Sequence, residues 1–367
     1  MVSAETMKWA SLGIFVLQNA AFVLLMRASK VMGTHYNSSV AVLVTEVIKM
    51  PLTFLLLCYE KMSVSEACSQ MWKDICLQPM DTLKISIPAL LYTVQNNCLF
   101  IAVGHLEAAV FQVTYQLKTL TTAVLTVVLL GRKQQAHQWF ALLLLTAGAA
   151  MVQEPKKAAP NVNADGSASA SALVVGLTAT VVACVCSSVA SVYLEKILVE
   201  SKPSIWVRNA QLCLFTIPIA FIGTRMVEDK YIKEDGTPLH GFNGIVWAAI
   251  LTNAAGGMLV ATVMKFAGNI LRNFAQALAI IVGGIGSWML FGFQMTVAFW
   301  SGVGLVILSI FIYGSKPEDI QSWIDACKGS LGMAPRQDYK LVAQMEQVEE
   351  MEQMEPAGKE SVGKESV

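Results

Sequence analysis

The sequence predicts an all-α polytopic membrane protein with ten transmembrane helices, arranged as two five-helix halves of inverted topology. Of its 367 residues 55% are hydrophobic and only 14% are charged, whereas a soluble domain carries about 25% charged residues. Runs of about 20 apolar residues, the length that spans a bilayer, recur along the chain. A polar stretch near the middle divides these runs into two sets.

The apolar runs give ten candidate spans, which extend nearly to residue 314. They cover roughly residues 9–26, 38–59, 86–104, 108–131, 138–153, 172–194, 205–227, 244–265, 270–292 and 296–313. No small-residue cleavage site follows the first run, so we expect a retained signal anchor. An even number of spans places both termini on one side, and the slight excess of Lys and Arg in the loops there predicts cytosolic termini.

Sequence similarity between the two sets of spans indicates an internal repeat. Sliding the chain on itself brings Gly131 onto Gly292 and Trp139 onto Trp300. Because each half has an odd number of spans, the second half enters the membrane upside down, an arrangement that places a substrate site near the midplane. The predicted organisation is a first half at 1–153, a flexible linker at 154–171, a second half at 172–314 and a disordered cytoplasmic tail at 315–367.

Lys118 lies about ten residues into its span, so a rise of 1.5 Å per residue places it about 15 Å deep, near the bilayer centre. A charge at that depth costs about 2.5–3.5 kcal/mol or more. We therefore expect it to face the protein interior. Phe111, Tyr115 and Thr122 fall on the same helical face as Lys118, which puts two aromatic rings beside the cation.

Amides, arginines and a further tyrosine in other spans complete the set of candidate binding residues. They are Tyr92, Gln95, Asn96, Arg208, Asn209, Gln211, Asn269, Arg272, Asn273 and Gln276. Such a set suits an anionic, planar ligand. Cations bind phosphate, ring faces stack on a base, and amides hydrogen-bond to the edges of the base.

Two structural explanations of these residues remain open. Lys118 can pair with Glu46, the only carboxylate near the middle of a predicted span, although Lys49 lies one turn from the same carboxylate. Arg208 and Arg272 lie near helix starts, where long side chains can reach the membrane interface instead of a central site.

Several function classes find no support in the sequence. The eight cysteines are scattered without a CxxC motif and the four histidines are dispersed, so we predict neither disulfides nor a metal site. The 26 basic and 26 acidic residues leave no net charge for binding nucleic acid. Neither paired carboxylates nor a Walker-type loop is present, so we predict that the protein is not an enzyme and needs no cofactor.

Long stretches of the chain resemble the nucleotide-sugar transporters of the Golgi and endoplasmic reticulum, within the drug/metabolite transporter superfamily. The resemblance covers nearly all of residues 12–314 and is strongest for the branch that carries UDP-galactose, UDP-N-acetylglucosamine and CMP-sialic acid. The matching stretches include "TEVIKM" (45–50), "DTLKISIPALLYTVQNN" (81–97), "AAVFQVTYQLKTLTTAVLTVVLLGR" (108–132), "VYLEKIL" (192–198), "SIWVRNAQL" (204–212) and "GGMLVATVMKFAGNILRNFA" (256–275).

The resemblance implies exchange of a cytosolic nucleotide sugar for a lumenal nucleoside monophosphate in a Golgi membrane, with the endoplasmic reticulum as the alternative compartment. A homodimer is a possible assembly. Lys118 matches the lysine that contacts phosphate, and Arg272 replaces a second family lysine. The remaining substrate-binding candidates are Tyr92, Asn96 and Asn97 around the nucleotide, Phe111 and Tyr115 of the aromatic motif, Asn209 beside the base, and Lys265, Gln276 and Glu46.

Departures from the family pattern bear on the substrate. "FAGNILR" stands where the family has "YADNILK", so Gly268 replaces an aspartate where the sugar is expected. "QLCLFT" resembles the form found in UDP-sugar carriers, so we predict UDP-galactose or UDP-N-acetylglucosamine as substrate and UMP as the exchanged nucleotide. The alternatives are a carrier of CMP-sialic acid and a polytopic enzyme that acts on activated sugars.

Overall fold

The computed structural model describes residues 3–31, 36–106, 108–153, 170–200, 202–226, 238–292, 294–316, 318, 319 and 322. Its helices are α1 (Ala4–Val31), α2 (Ser38–Lys61), α3 (Val64–Met71), a π-helix (Trp72–Cys76), α4 (Pro79–Lys84), α5 (Ser86–His105), α6 (Ala108–Tyr115), α7 (Leu117–Leu130), α8 (Ala136–Val152), α9 (Ala170–Glu200), α10 (Ile205–Met226), α11 (Gly244–Phe266), α12 (Gly268–Phe291) and α13 (Val297–Gly314).

The all-α polytopic architecture is confirmed. The described residues contain no strand, and nine of their helical stretches are long and apolar enough to cross a bilayer. A further apolar helix, α8, is shorter at 17 residues. Each of these ten stretches coincides with a predicted span. Most of the predicted linker, up to residue 169, and nearly all of the predicted tail lie outside the described residues.

Two glycines that the internal repeat aligned have the same structural role. Gly131 ends α7 with a φ of 66°, and Gly292 ends α12 with a φ of 61°. A positive φ at the residue after a helix favours glycine, because a Cβ atom is strained there. The repeat therefore matches two equivalent helix ends, although the inverted relation of the halves stays a prediction.

The fourth span is not the single helix that the sequence predicted. It is divided into α6 and α7 at Gln116, whose amide is shared between the carbonyls of Gln112 and Val113 at 3.3 and 3.2 Å. The amide of Thr119 bonds to Gln116 at 3.0 Å, which is the tighter 3₁₀ pattern. The break lies two residues before Lys118. A turn at Ala267 separates the eighth span, α11, from the ninth span, α12, and precedes Arg272.

Apolar packing holds α7, α8, α12 and α13 together in one core cluster, which includes Leu142, Leu145, Phe274, Phe299 and Val306. The opposite faces of the spans carry exposed apolar side chains, as lipid-facing surfaces do. Inside the cluster, α8 and α13 approach closely where Gly148 faces Gly302. A Cβ atom on Gly302 would lie 2.7 Å from the Gly148 carbonyl oxygen.

We expect Gly302→Ala to lower the free energy of unfolding by about 1–3 kcal/mol, because the added methyl forces α8 and α13 apart. The thermal unfolding midpoint of the purified protein in detergent measures this effect. Gly304→Ala is the matched control, since a Cβ atom at Gly304 meets nothing within 4 Å. Equal midpoints for the two variants would contradict the proposed close packing.

Candidate functional site

The two cations that the sequence selected from different halves lie in one cluster. Lys118 Nζ lies 5.6 Å from the ring centroid of Tyr115, and the Tyr115 ring stacks on Phe111 with centroids 5.7 Å apart and planes inclined by 14°. Arg272 on α12 lies close enough to interact electrostatically with Lys118, Tyr92 and Tyr115. The cluster therefore joins residues of α5, α6, α7 and α12.

Neither cation has an acidic partner among the residues that the structure describes. The ion pairs found there are Lys49–Glu46, Lys84–Asp81, Arg132–Glu195 and Arg208–Asp81. Arg272 instead directs Nη1 to the sulfur of Met264 at 3.6 Å. Two positive charges withdrawn from water and close to each other are unfavourable without an anion. The cluster is therefore suited to binding a negatively charged ligand.

Helix α9 supports the break beside Lys118. The Ser188 hydroxyl donates to the Lys118 carbonyl at 3.2 Å and lies 3.0 Å from the Thr122 hydroxyl. The Cys184 thiol donates to the Tyr115 carbonyl at 3.5 Å. These donors, together with the Thr122 hydroxyl, which donates to the Lys118 carbonyl at 2.7 Å, tie the backbone around the break to polar groups in an apolar environment. The sequence analysis did not identify this role of α9.

A recurring pattern of polar residues in α9 is the sequence signal from which this supporting role could have been inferred. Small polar side chains stand three or four residues apart along an otherwise apolar helix, and the structure buries them on one face. They are Thr180, Cys184, Ser187, Ser188 and Ser191, followed by Glu195. In membrane helices such residues mark helix–helix contacts.

Some buried polar atoms around the cluster have no hydrogen-bond partner within the described part of the chain. Ser187 is fully buried and its side chain lies against that of Tyr115. The side-chain oxygen of Gln95, one turn after Tyr92, is unpaired, as is that of Gln112. Buried polar groups without partners are costly, so these atoms are available to the polar edges of a ligand.

A polar cavity of about 160 Å³ lies between α1, α2 and α11. Its lining residues are Gln18, Asn19, Thr45, Glu46, Lys49, Asn253, Gly256, Gly257 and Val260. Val260 is one turn from Met264, the residue that Arg272 contacts, so about 6 Å along the helix axis separates the cavity wall from that contact. The cavity and the cation cluster are therefore neighbours along α11.

The hypothesis that Glu46 neutralises Lys118 is wrong. Glu46 Oε1 accepts a hydrogen bond from Lys49 at 2.6 Å, and Oε2 accepts one from Thr216 at 2.6 Å. Both carboxylate oxygens are occupied, because Lys49 lies one turn away on the same helix face. Glu46 therefore contributes its ion pair with Lys49 to the polar cavity and does not pair with Lys118.

Arg208 is enclosed by protein and paired with an acidic residue. It is only 2% exposed, and it bonds to Asp81 at 2.7 Å and to Gln211 at 2.8 Å. Gln211 donates in turn to the Asp74 carbonyl and to the Thr82 hydroxyl. These contacts anchor α10 to the short helical segments between α2 and α5, which is a structural role.

The other predicted site residues lie in varied surroundings. Asn209 is buried and donates to the Ile205 carbonyl at 3.1 Å. Asn96 and Asn97 are exposed, and Asn97 donates to the Thr93 carbonyl at 2.9 Å. Lys265 and Gln276 are partly buried on α11 and α12. The structure shows no bond from these five side chains to the cation cluster within the described residues.

Gly268 lies against an ion pair and is not among the residues that line the polar cavity; its predicted proximity to the sugar stays a prediction. Its φ is 82°, and a Cβ atom there would lie 2.8 Å from Arg132 Nη1 and 2.9 Å from Glu195 Oε1. Both observations favour glycine at this position. Glu195 is fully buried, a second intramembrane carboxylate that the sequence analysis did not single out.

Comparison with known proteins gives consistent results over most of the chain. The family model described as "Nucleotide-sugar transporter" matches residues 3–314. The chain is 41% identical over 320 residues to the UDP-N-acetylglucosamine transporter of Rattus norvegicus, covering 86% of this chain and 97% of that protein. It is 39% identical over 325 residues to the UDP-galactose transporter of Schizosaccharomyces pombe, covering 85% and 88%.

Two further comparisons extend this result. A UDP-N-acetylglucosamine/UDP-N-acetylgalactosamine transporter of Caenorhabditis elegans, nstp-4, is 38% identical over 325 residues and covers 86% of this chain and 96% of that protein. A solved crystal structure matches with a TM-score of 0.59 and 15% identity, covering 83% of this chain and 96% of that one. The latter likeness concerns the fold alone.

Removing the charge of Lys118, one of the two neighbouring cations, is expected to stabilise the protein when no nucleotide is bound. Lys118→Met retains the length of the side chain and abolishes the repulsion with Arg272, so we expect a gain of about 1–3 kcal/mol without added nucleotide. Lys49→Met is the control, because it leaves Glu46 without its ion-pair partner and is expected to destabilise. Thermal unfolding midpoints in detergent show whether each variant is more or less stable than the parent protein. A large loss of stability in Lys118→Met would show that Lys118 has a structural counter-charge.

Proposed function

Because the chain belongs to the nucleotide-sugar transporter family, we propose that it moves a UDP-sugar from the cytosol into the Golgi lumen in exchange for UMP by alternating access. The transported nucleotide sugar is UDP-galactose or UDP-N-acetylglucosamine. Relatives named as carriers of one or both stand at about 40% identity. Both termini are assigned to the cytosol, and the endoplasmic reticulum is the second candidate membrane.

The observation that carries this proposal is the pair of cations Lys118 and Arg272, for which the described part of the chain provides no acidic partner. A diphosphate supplies two or more negative charges and several acceptor oxygens. An arginine and a lysine bind such groups through charge-assisted hydrogen bonds, which are about twice as strong as neutral ones. UMP carries a phosphate too, so both exchanged nucleotides satisfy the same pair.

The aromatic and amide residues around the pair suit the nucleoside. The Phe111–Tyr115 stack provides ring faces beside Lys118, and Tyr92 provides one beside Arg272; base–aromatic stacking contributes about 1–3 kcal/mol per base. The Ser187 hydroxyl and the amide oxygen of Gln95, which has no partner among the described residues, provide edge contacts. We assign the nucleoside to this side of the cluster, with Asn96, Asn97 and Asn209 as further contacts.

The polar cavity suits the sugar. Its walls combine the Glu46–Lys49 ion pair with the amides of Gln18, Asn19 and Asn253, groups that hydrogen-bond to hydroxyls and to an N-acetyl group. The cavity begins about one helical turn along α11 from the contact of Arg272, a distance that a pyrophosphate bridges. Lys265 and Gln276 are the remaining candidates for contacts with the diphosphate and the sugar.

Counterflow in liposomes tests the proposed exchange. Purified protein preloaded with UMP, CMP or GMP is offered labelled UDP-galactose, UDP-N-acetylglucosamine and CMP-sialic acid in turn. We expect uptake of one or both UDP-sugars from vesicles that contain UMP. Uptake of CMP-sialic acid driven by CMP would instead establish the alternative substrate, and conversion of the sugar donor without uptake would indicate an enzyme.

Lys118→Ala is expected to reduce counterflow by about tenfold to a hundredfold, because the loss of a charge-assisted contact to phosphate weakens binding by roughly 1.5–3 kcal/mol. Arg272→Lys keeps the charge and is expected to retain measurable exchange. Lys133→Ala is the matched control, since Lys133 is exposed and lies outside the cluster. Full exchange by Lys118→Ala would remove this lysine from the mechanism.

Glu46→Gln tests the assignment of the sugar to the polar cavity. The substitution preserves size but removes the ion pair with Lys49, so we expect about a tenfold weaker apparent affinity for the UDP-sugar. The affinity for UMP, which lacks the sugar, is expected to change little. Competition of each ligand against labelled UMP provides both values. Equal losses for both ligands would place Glu46 at the nucleotide or show a general structural effect.

A further inference from the structure

Glu195 forms a buried junction between three segments. Its side chain is 0% exposed, and Oε1 lies 2.6 Å from Nη1 of Arg132, in the segment that follows α7. Oε2 accepts hydrogen bonds from the backbone amide and the side-chain amide of Asn269 at 3.0 and 2.8 Å. The Asn269 side chain also donates to the Ser191 carbonyl at 2.8 Å. We call Arg132, Glu195 and Asn269 the latch.

The latch fixes the start of the helix that carries Arg272. Ala267 precedes α12 and provides no side-chain cap, so the carboxylate of Glu195 takes that role from another helix. A negative charge at a helix N-terminus is favourable because the free amides there carry partial positive charge. Arg272 follows Asn269 by one turn. The position of this phosphate-binding candidate therefore depends on the contacts of Glu195.

The latch also joins the two predicted halves on one side of the bundle. Consecutive spans run in opposite directions, so the end of α7, the end of α9 and the start of α12 lie on the side where α1 begins. Arg132 belongs to the first half, while Glu195 and Asn269 belong to the second. Gln134 and Tyr313 make another contact between the halves on this side, with 3.2 Å between the amide oxygen and the hydroxyl.

The cavities extend toward the opposite side. A second cavity of about 120 Å³ shares Thr45 and Asn253 with the polar cavity. Its lining includes Met26 near the end of α1, Tyr36 before α2 and Val246 near the start of α11. The described structure therefore has an ion pair with a fully buried carboxylate on the side of the latch and open volume leading the other way.

We propose that the latch is the gate on the side where α1 begins, closed while the site faces the opposite side and opened in each transport cycle. Opening separates Arg132 from Glu195 and frees the first turn of α12, which moves Arg272. Glu195 is thus a positioning residue for the anion site. Water must enter to solvate the released carboxylate, because a buried unpaired charge is strongly unfavourable.

The inference rests on the transport function proposed above, and its test is independent of substrate. Ser191 is 1% exposed beneath the latch, so Ser191→Cys reports opening through its rate of modification by a maleimide. The measurement uses purified full-length protein in detergent, with the native cysteines replaced. Breaking the ion pair removes a contact to charged groups, so we expect Glu195→Gln to speed the modification by roughly tenfold to a hundredfold.

Two variants of Arg132 and one control complete the design. Arg132→Ala is expected to speed the modification as Glu195→Gln does. Because the Arg132 side chain is exposed, we expect this variant to fold. Arg132→Lys retains the charge and is expected to react close to the parent rate. Lys133→Ala removes a neighbouring charge outside the latch and is expected to have no effect. In counterflow, Glu195→Gln is expected to reduce the maximal rate more than Arg132→Lys does.

Unchanged modification rates in both Glu195→Gln and Arg132→Ala would overturn the proposed gate. If Glu195→Gln does not fold, the result for Arg132→Ala decides alone. Failure of the parent protein to exchange any nucleotide would refute the proposed function, whereas the modification rates would still show whether the latch opens. The two failures are therefore distinguishable.

Discussion

The rest of the site depends on two positive charges, Lys118 and Arg272, that lie close together inside the bundle without an acidic partner among the described residues. Their repulsion and desolvation are unfavourable, and the fold tolerates them because packing elsewhere in the bundle compensates. An anionic ligand supplies the missing charge. Binding energy is thereby concentrated on phosphate, the group that a nucleotide sugar and a nucleoside monophosphate share.

The positions of both cations depend on interruptions of helical structure. Lys118 follows the break at Gln116 within the fourth span, and Arg272 follows the turn at Ala267 between the eighth and ninth spans. A break or a helix end leaves backbone groups without partners inside the helix, so each needs donors or acceptors from elsewhere. Helix α9 contributes to both places, through Cys184 and Ser188 at the break and through Glu195 at the start of α12. One polar helix face therefore supports both sides of the anion site.

Glu46 and Glu195, the carboxylates of α2 and α9 that form ion pairs, have different uses because their surroundings differ. Glu46 pairs with Lys49 at the wall of an open cavity, where its polar groups remain accessible to a ligand. Glu195 is completely enclosed and pairs with Arg132 across the predicted boundary between the halves. The first arrangement suits recognition of hydroxyl groups, whereas the second suits a contact that holds one side closed.

The sequence by itself determined the spans, the depth of Lys118 and the set of cations, rings and amides, because apolar period and residue type are local properties. The tertiary structure decided which of them meet. Arg208 and Arg272 both stand near helix starts, yet one is neutralised by Asp81 and the other faces Lys118. The break before Lys118 and the burial of Glu195 depend on partners 63 to 74 positions away in the chain. Contacts at that separation arise from helix packing, which no local pattern encodes.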